Sequence, residues 1–363
     1  MNLLVPNLGS TSLKYQILDM PAETVLARGR FERVRDYREA IDQIRTAHVP
    51  VDAVAFKAVH GGPRYCGTFL IDDSVLGALE EFAPAAPAHN AIYLAAIRAF
   101  RESLPGVPLV AAFEPEFHAT MPAHAALYGV PAEWQAAGIR KFGFHGASHQ
   151  YVAVRCAEML GRDTRLVSCH LGGSSSICAI DRGRSIDTTM GFSPQSGLEN
   201  ATRHGDLDVF GVLFMMERRG WTAAEVRHQL ARDGGLAGLS GIAGGDVRDL
   251  ESAAAQGNPR AAQALQVFVY QVKKTIGAYA AAMGGIDTLA FTGGIGENSA
   301  RLRAACCAGL EFLGVALDSE ANERGQGDRI VSTGPVAVIA LSTNEELIVA
   351  RRAYRLLCAK LSE

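Results

Sequence analysis

Three short runs of small residues stand at the ends of apolar stretches: Gly9 to Ser12, Gly172 to Ser176 and Gly293 to Gly296. Such turns let backbone N–H groups approach phosphate oxygens with no side chain in the way. Three of them in one chain point to a nucleotide held between domains. None fits the pattern G-x-x-x-x-G-K-[ST] or a strand-linked G-x-G-x-x-G, which argues against a P-loop or Rossmann enzyme. Charged residues lie beside other glycine turns, with Arg203 close to Asp206 and Asp246 close to Arg248. The planar fork of arginine suits carboxylate and phosphate; an ordinary surface ion pair is the alternative. Glu345 and Glu346 follow Asn344 where a strand gives way to a helix. Acidic residues there suit the helix dipole, or one of them holds Mg²⁺, which takes carboxylates, water and phosphate oxygens. His145 and His149 are four apart, without the glutamate of H-E-x-x-H that a zinc protease needs. Ser148 beside His149 does not make a triad, because sequence neighbours rarely align as nucleophile and base. His60 and His89 read as core or loop histidines.

The elements that must position these groups alternate between strand and helix patterns, which predicts an α/β protein. Leu3 to Val5 and Leu13 to Leu18 read as strands around the first small-residue turn. Leu166 to Cys169 and Ile177 to Ile180 read as strands around the second. Residues 260 to 282 carry an apolar stripe at helical spacing. Asp287 to Phe291 is a strand running into the third turn, with helix resuming after Asn298. Val336 to Leu341 is a strand, and Asn344 caps a helix reaching about residue 360. The segments Asn7-Leu8-Gly9-Ser10-Thr11-Ser12 and His170-Leu171-Gly172-Gly173-Ser174-Ser175 repeat one strand–turn–strand unit half a chain apart, which suggests two related domains facing each other.

Bulk properties fit this picture. At 363 residues the chain is long enough for two domains. With 48% hydrophobic and 20% charged residues it has ample material for a core, and a net charge of −3 gives no hint of nucleic acid. No apolar run reaches the ~18 residues needed to cross a bilayer, and the first residues lack the pattern of a signal peptide. The expectation is a cytoplasmic protein with neither membrane nor nucleic-acid partners. The 7 cysteines are scattered and never spaced C-x-x-C, so they read as reduced thiols.

Taken in order, the motifs resemble the acetate kinase family, in the acetate and sugar kinase/Hsp70/actin superfamily. They are N-x-G-S-[ST]-S-x-K (Asn7 to Lys14), V-H-G-G (Val59 to Gly62), H-N (His89-Asn90) and F-x-x-x-F-H-x-T-M-P (Phe113 to Pro122). G-F-H-G-x-S-H (Gly143 to His149), H-L-G with its serines, D-T-x-M-G-F-x-P (Asp187 to Pro194) and T-R-x-G-D (Thr202 to Asp206) follow. S-G-x-x-x-x-D-x-R-D (Ser240 to Asp249), F-T-G-G-I-G-E-N-S (Phe291 to Ser299) and T-N-E-E-L (Thr343 to Leu347) complete the series. The resemblance implies a two-domain, duplicated ribonuclease-H-like (actin-like ATPase) fold with an interdomain cleft. Residues 1–116, joined by a C-terminal helix over 346–363, would form one domain, and 117–345 the nucleotide-binding one. It also implies ATP/ADP with Mg²⁺ (or Mn²⁺), a small carboxylate substrate and a homodimer. Asn7 would contact the transferring phosphoryl or its metal, with Ser10, Ser12 and Lys14 supporting that loop and Glu345 helping to hold the metal. Arg203 would clamp carboxylate and phosphate, and His145 would hydrogen-bond the phosphoryl oxygens. His170, with Gly172, Gly173 and Ser174, would contact the nucleotide phosphates. Asp246 and Arg248 would frame the adenosine, with Gly293, Gly294, Ile295, Gly296 and Asn298 along the floor. Val59, Ala88, Phe144 and Pro194 would line the acid pocket.

Departures from the family pattern fall at that same site. Lys57 stands for an arginine, keeping the charge without the bidentate fork, and Glu114 stands for an aspartate; both belong to the expected catalytic set. Gly173-Ser174 replaces Asn-Gly, Ala201 replaces glycine, and the segment between Lys14 and Lys57 is short. Ala88 replaces a large aliphatic residue, so a longer acid than acetate would gain ~0.8 kcal/mol per extra buried methylene. Two other outcomes compete with a kinase: a nucleotide-binding regulator that lost transfer, and a simple ATPase.

Overall fold

The computed structural model describes residues 1–9, 12–45, 49–87 and 89–361. Two six-stranded sheets carry the chain, and they are built on one plan. The first contains β1 (Asn2–Leu8), β2 (Ser12–Asp19), β3 (Thr24–Glu32), β4 (Ala53–Ala58), β5 (Thr68–Leu70) and β6 (Leu109–Phe113), in the order β3-β2-β1-β4-β6-β5. The second contains β7 (Arg165–His170), β8 (Ser176–Asp181), β9 (Arg184–Thr188), β10 (Thr288–Thr292), β11 (Arg329–Ile330) and β12 (Ala337–Ala340), in the order β11-β12-β10-β7-β8-β9.

Strand directions match as well as order. Each sheet opens with an antiparallel meander, β1-β2-β3 or β7-β8-β9. Each continues through two parallel pairings, β1·β4 and β4·β6 or β7·β10 and β10·β12. Each ends on an antiparallel edge strand. The duplication suggested by two short repeated segments is therefore a duplication of the whole sheet. Central strands β6 and β10 are buried at every position, as expected for strands covered on both faces.

The helices that matter for the site are α1 (Asn90–Ser103), α2 (Gly146–Leu160), α3 (Val209–Arg219), α4 (Val247–Ala255), α5 (Pro259–Ala282), α6 (Gly293–Asn298), α7 (Ala300–Cys307) and α8 (Glu345–Leu361). Helix α8 returns to the first sheet, where Ile348, Val349, Ala353 and Leu357 pack on Leu3, Val5, Ala55 and Val110. Asn344 Oδ1 accepts from the Leu347 N–H at 3.1 Å, so the expected cap is present. Helix α2 joins the sheets, its Ala147 meeting the α8 cluster while Val152 and Cys156 pack with Leu166 and Ile339 of the second.

One expectation needs correction. The third small-residue run is the start of a helix, because α6 begins at Gly293 itself and α7 follows from Ala300. Gly293 sits at φ +76, and a Cβ there would lie 2.6 Å from the Leu171 carbonyl oxygen. The backbone can therefore turn directly from β10 into helix without the loop expected before Asn298.

Candidate active site

The C-terminal ends of β1, β4 and β6, with the start of α8, bring four ionisable groups and one amide together. Lys57, on β4, forms an ion pair with Glu345 and lies 3.7 Å from Glu114. Asn7, on β1, donates its amide to Glu346 Oε1 at 2.8 Å. Glu345 and Glu346 therefore face different partners, the first Lys57 and the second Asn7. Burial works against the Lys57 ammonium, but Glu345 and Glu114 hold its pKa well above the ordinary value. Burial also opposes ionisation of Glu345, yet Lys57 keeps its carboxyl below the usual range. Glu114 is pushed up by burial despite Lys57. Its Oε2 is buried with no hydrogen-bond partner among the described residues. Gly146 makes this packing feasible, since a Cβ there would lie 2.0 Å from the Glu114 carbonyl oxygen.

A second group faces the first from the other sheet. His145 precedes α2 in a left-handed conformation, φ 56 and ψ 27. That geometry costs a non-glycine residue about 1–2 kcal/mol, so the i, i+4 pair with His149 is not a helical pair. His145 stacks on His170, with ring centroids 4.3 Å apart and planes 26° apart. Burial first, then the neighbouring His170, holds His145 well below the ordinary histidine pKa. Arg203 is 8% exposed, donates to the Pro194 carbonyl at 2.7 Å and to Ser174 Oγ, and has no carboxylate partner among the described residues. Burial alone brings its pKa down to about 10, so it remains a cation at neutral pH. The alternative of a surface ion pair does not hold for this arginine.

Beside these histidines opens a cleft of about 950 Å³ lined by Gly172, Gly173, Asp246, Arg248, Gly294, Ile295 and Asn298. Arg248 is exposed and paired with Asp246 at 2.6 Å across the rim. Gly293 and Gly296 are buried and support this floor from beneath. Val59 and Phe144 share one core cluster, and the carbonyl of Pro194 carries Arg203. Lys14 is exposed, Ser12 is half-buried, and neither bonds to the ionic cluster among the described residues. Ser10 and Ala88 lie outside the described residues.

Several groups to which the sequence gives no role at the site lie in it or against it. His89 carries a buried Nδ1 without a partner among the described residues. Its pKa is pushed down to about 3 by burial, Arg203 and Lys57. Ser148, Ser168 and Ser176 hydrogen-bond the site histidines. Two of these serines sit inside quoted motifs, but nothing in their spacing reveals which imidazole each one meets.

The fold and site define an ATP-dependent carboxylate kinase. The chain belongs to the acetokinase family, whose model matches residues 36–351. It is 43% identical over 397 residues to the acetate kinase of Caldanaerobacter subterraneus subsp. tengcongensis, covering 98% of this chain and 99% of that protein. The crystal structure of Porphyromonas gingivalis acetate kinase matches with a TM-score of 0.87 at 36% identity, over 98% of this chain and 99% of the other. A propionate kinase from Francisella tularensis subsp. tularensis SCHU S4 matches with a TM-score of 0.88 at 30% identity, over 97% and 98%.

Proposed function

We propose that the protein transfers the γ-phosphate of ATP reversibly to a short-chain carboxylate, acetate or a close homologue, giving an acyl phosphate and ADP. The observation that carries this reading is Arg203, a buried cation that no carboxylate neutralises, set beside the stacked His145 and His170. Nucleophile and γ-phosphate are both anions, so their approach requires such a charge, and catalysis rests on alignment and charge neutralisation. In this reading Arg203 and Lys57 draw the acid carboxylate and the phosphoryl group together. His145 donates a hydrogen bond to the phosphoryl oxygens, and His170, Gly172, Gly173 and Ser174 hold the nucleotide phosphates. Asp246, Arg248, Gly294, Ile295 and Asn298 take the adenosine, while Val59, Phe144, Pro194 and Ala88 bound the acid.

The residues present fit a hard divalent cation. Asn7, Glu345, Glu346 and Glu114 supply only oxygen donors, and Glu114 Oε2 is buried without a partner among the described residues. Glu345 with Asn7 would hold Mg²⁺ or Mn²⁺, which supplies charge neutralisation on the nucleotide phosphates.

The reading extends to assembly and place. Helix α3 has no buried residue and exposes Val209, Phe210, Leu213 and Phe214, the kind of apolar face that marks an interaction surface. A second copy of this chain covers it in a homodimer. We place the enzyme in the cytoplasm without membrane or nucleic-acid partners; no helix among the described residues is long and apolar enough to cross a membrane. We divide the chain into 1–116 with 346–363 and 117–345; the packing of α8 on the first sheet supports joining the C-terminal helix to the first part.

A preference for propionate or butyrate is the second reading, favoured by the small Ala88; comparing kcat/KM across chain lengths for the wild type and Ala88→Leu tests it. The main proposal is tested by ADP release with and without acid. Release that requires acid supports it. Acid-independent release points to an ATPase, and nucleotide binding without release to a regulator.

A further inference from the structure

Behind the cleft, hydroxyls and imidazoles form two hydrogen-bonded strings whose direction follows from counting protons. Ser168 is wholly buried, and among the described residues its Oγ meets only Nδ1 of His149, at 2.9 Å. Nε2 of His149 lies 2.8 Å from Ser176 Oγ. The same oxygen lies 2.8 Å from His145 Nδ1, and His145 Nε2 lies 3.0 Å from Ser174 Oγ. Ser174 already accepts from Arg203. The second string is shorter: Ser148, also wholly buried, places its Oγ 2.8 Å from His170 Nδ1 and has no other partner among the described residues.

A neutral imidazole has one N–H and one acceptor nitrogen, and a hydroxyl has one proton to give. The three histidines are neutral, each held below the ordinary value chiefly by burial. Three proton arrangements then satisfy every contact of the first string. One has His149 Nε2–H and His145 Nδ1–H both donating to Ser176, whose own proton is then wholly buried without an acceptor among the described residues. The remaining two run in a single direction. In one, donation runs from Ser174 inward to Ser168, which leaves the Ser168 proton buried without an acceptor. In the other, donation runs outward: Ser168 to His149 Nδ1, His149 Nε2–H to Ser176, Ser176 to His145 Nδ1, and His145 Nε2–H to Ser174. The spare proton then belongs to Ser174, which is half-buried and bonded to Arg203 at the site, where water or ligand can accept it. An unmatched buried donor is the costlier of the two, so the outward arrangement prevails. By the same count Ser148 donates to His170 Nδ1 and leaves the proton on Nε2.

We propose that Ser168, His149, Ser176 and Ser148 are positioning residues that lock His145 and His170 as neutral Nε2–H tautomers, giving the cleft two uncharged donors side by side. Neutral donors suit rings stacked at 4.3 Å, where two imidazolium ions would repel. They also leave Arg203 as the cation, so charge and hydrogen bonding are supplied by different groups. The tautomers follow from the hydrogen bonds alone; their catalytic consequence rests on the phosphoryl-transfer reading above.

Long-range ¹H–¹⁵N correlation spectra of the histidine-labelled full chain report directly which ring nitrogen carries the proton. The expected result is Nε2–H on His145, His149 and His170. A proton on Nδ1 of any of these overturns the assignment for its string, and does so even if acyl phosphate forms. In kinetics, Ser176→Ala is expected to lower kcat about tenfold to a hundredfold, the usual range for loss of a group that orients a site residue, with little change in KM. Ser176→Thr, which keeps the hydroxyl, recovers most of that loss. An unchanged kcat in Ser176→Ala, or equal losses in both variants, contradicts the positioning role. If the wild type makes no acyl phosphate, the function fails while the spectra still decide the tautomers.

Discussion

Arg203 donates to the carbonyl of Pro194 at 2.7 Å, and this bond fixes a buried guanidinium that meets no carboxylate among the described residues. The segment that follows β9 carries both Pro194, proposed to bound the acid, and the Arg203 cation that bonds to it. Removing the guanidinium is expected to remove transition-state stabilisation rather than binding alone. Arg203→Ala should lose at least ~10²–10³ in turnover, measured as acid-dependent ADP release. Near-normal turnover would contradict the assignment.

Lys57 stands between Glu345 and Glu114, so its charge does two jobs. Lys57→Met leaves two carboxylates facing each other in a mostly buried site. Breaking a buried pair in this way typically costs about 3–5 kcal/mol, and the 19% exposure of Lys57 argues for the lower end. Urea unfolding at neutral pH measures it; a loss below about 1 kcal/mol would mean that water or rearrangement relieves the repulsion.

His60 and His118 are buried, and burial brings each pKa from 6.5 down to about 4. The unfolded chain then binds more protons than the folded one below pH 6.5. Stability is therefore fully present above that pH and falls as pH drops towards 4, where the loss levels off. Each histidine contributes on the order of 3 kcal/mol to that loss. Unfolding free energies measured from pH 7 to 4 should show the fall, and His118→Gln should show a shallower one. A slope unchanged in that variant would remove His118 from the account.

Phe210 and Phe214 are 76% and 56% exposed on one apolar helix. Replacing both with aspartate should convert the proposed homodimer to a monomer, because charges at a buried interface go unpaired. Light scattering coupled to size exclusion reads the mass directly. A dimer that survives both changes places the interface elsewhere.

The fold was legible because strand residues are apolar in short runs and the two small-residue turns repeat. Strands β1, β2, β7 and β8, helix α5 and the Asn344 cap all follow from local pattern. What local pattern does not contain is the pairing across distance. Lys57 and Glu345 are 288 positions apart, and the string from Ser168 to Ser174 joins β7, α2, β8 and the turn before β8. The Gly293 run misled because a glycine with positive φ serves a turn and a strand-to-helix junction equally well. His89 reads only as a core or loop histidine because its charged neighbours Arg203 and Lys57 come from other parts of the chain. The family motifs name the candidate residues; only the folded chain assigns their hydrogen bonds.

The most direct test of the central claim is to trap the product. The purified protein, incubated with Mg-ATP, hydroxylamine and a panel of short carboxylic acids, should yield an acyl hydroxamate with acetate or propionate, and Arg203→Ala should yield almost none. Absence of hydroxamate with every acid, while ATP binding is retained, would contradict acyl phosphate formation and leave a nucleotide-binding protein that does not transfer phosphate to these carboxylates.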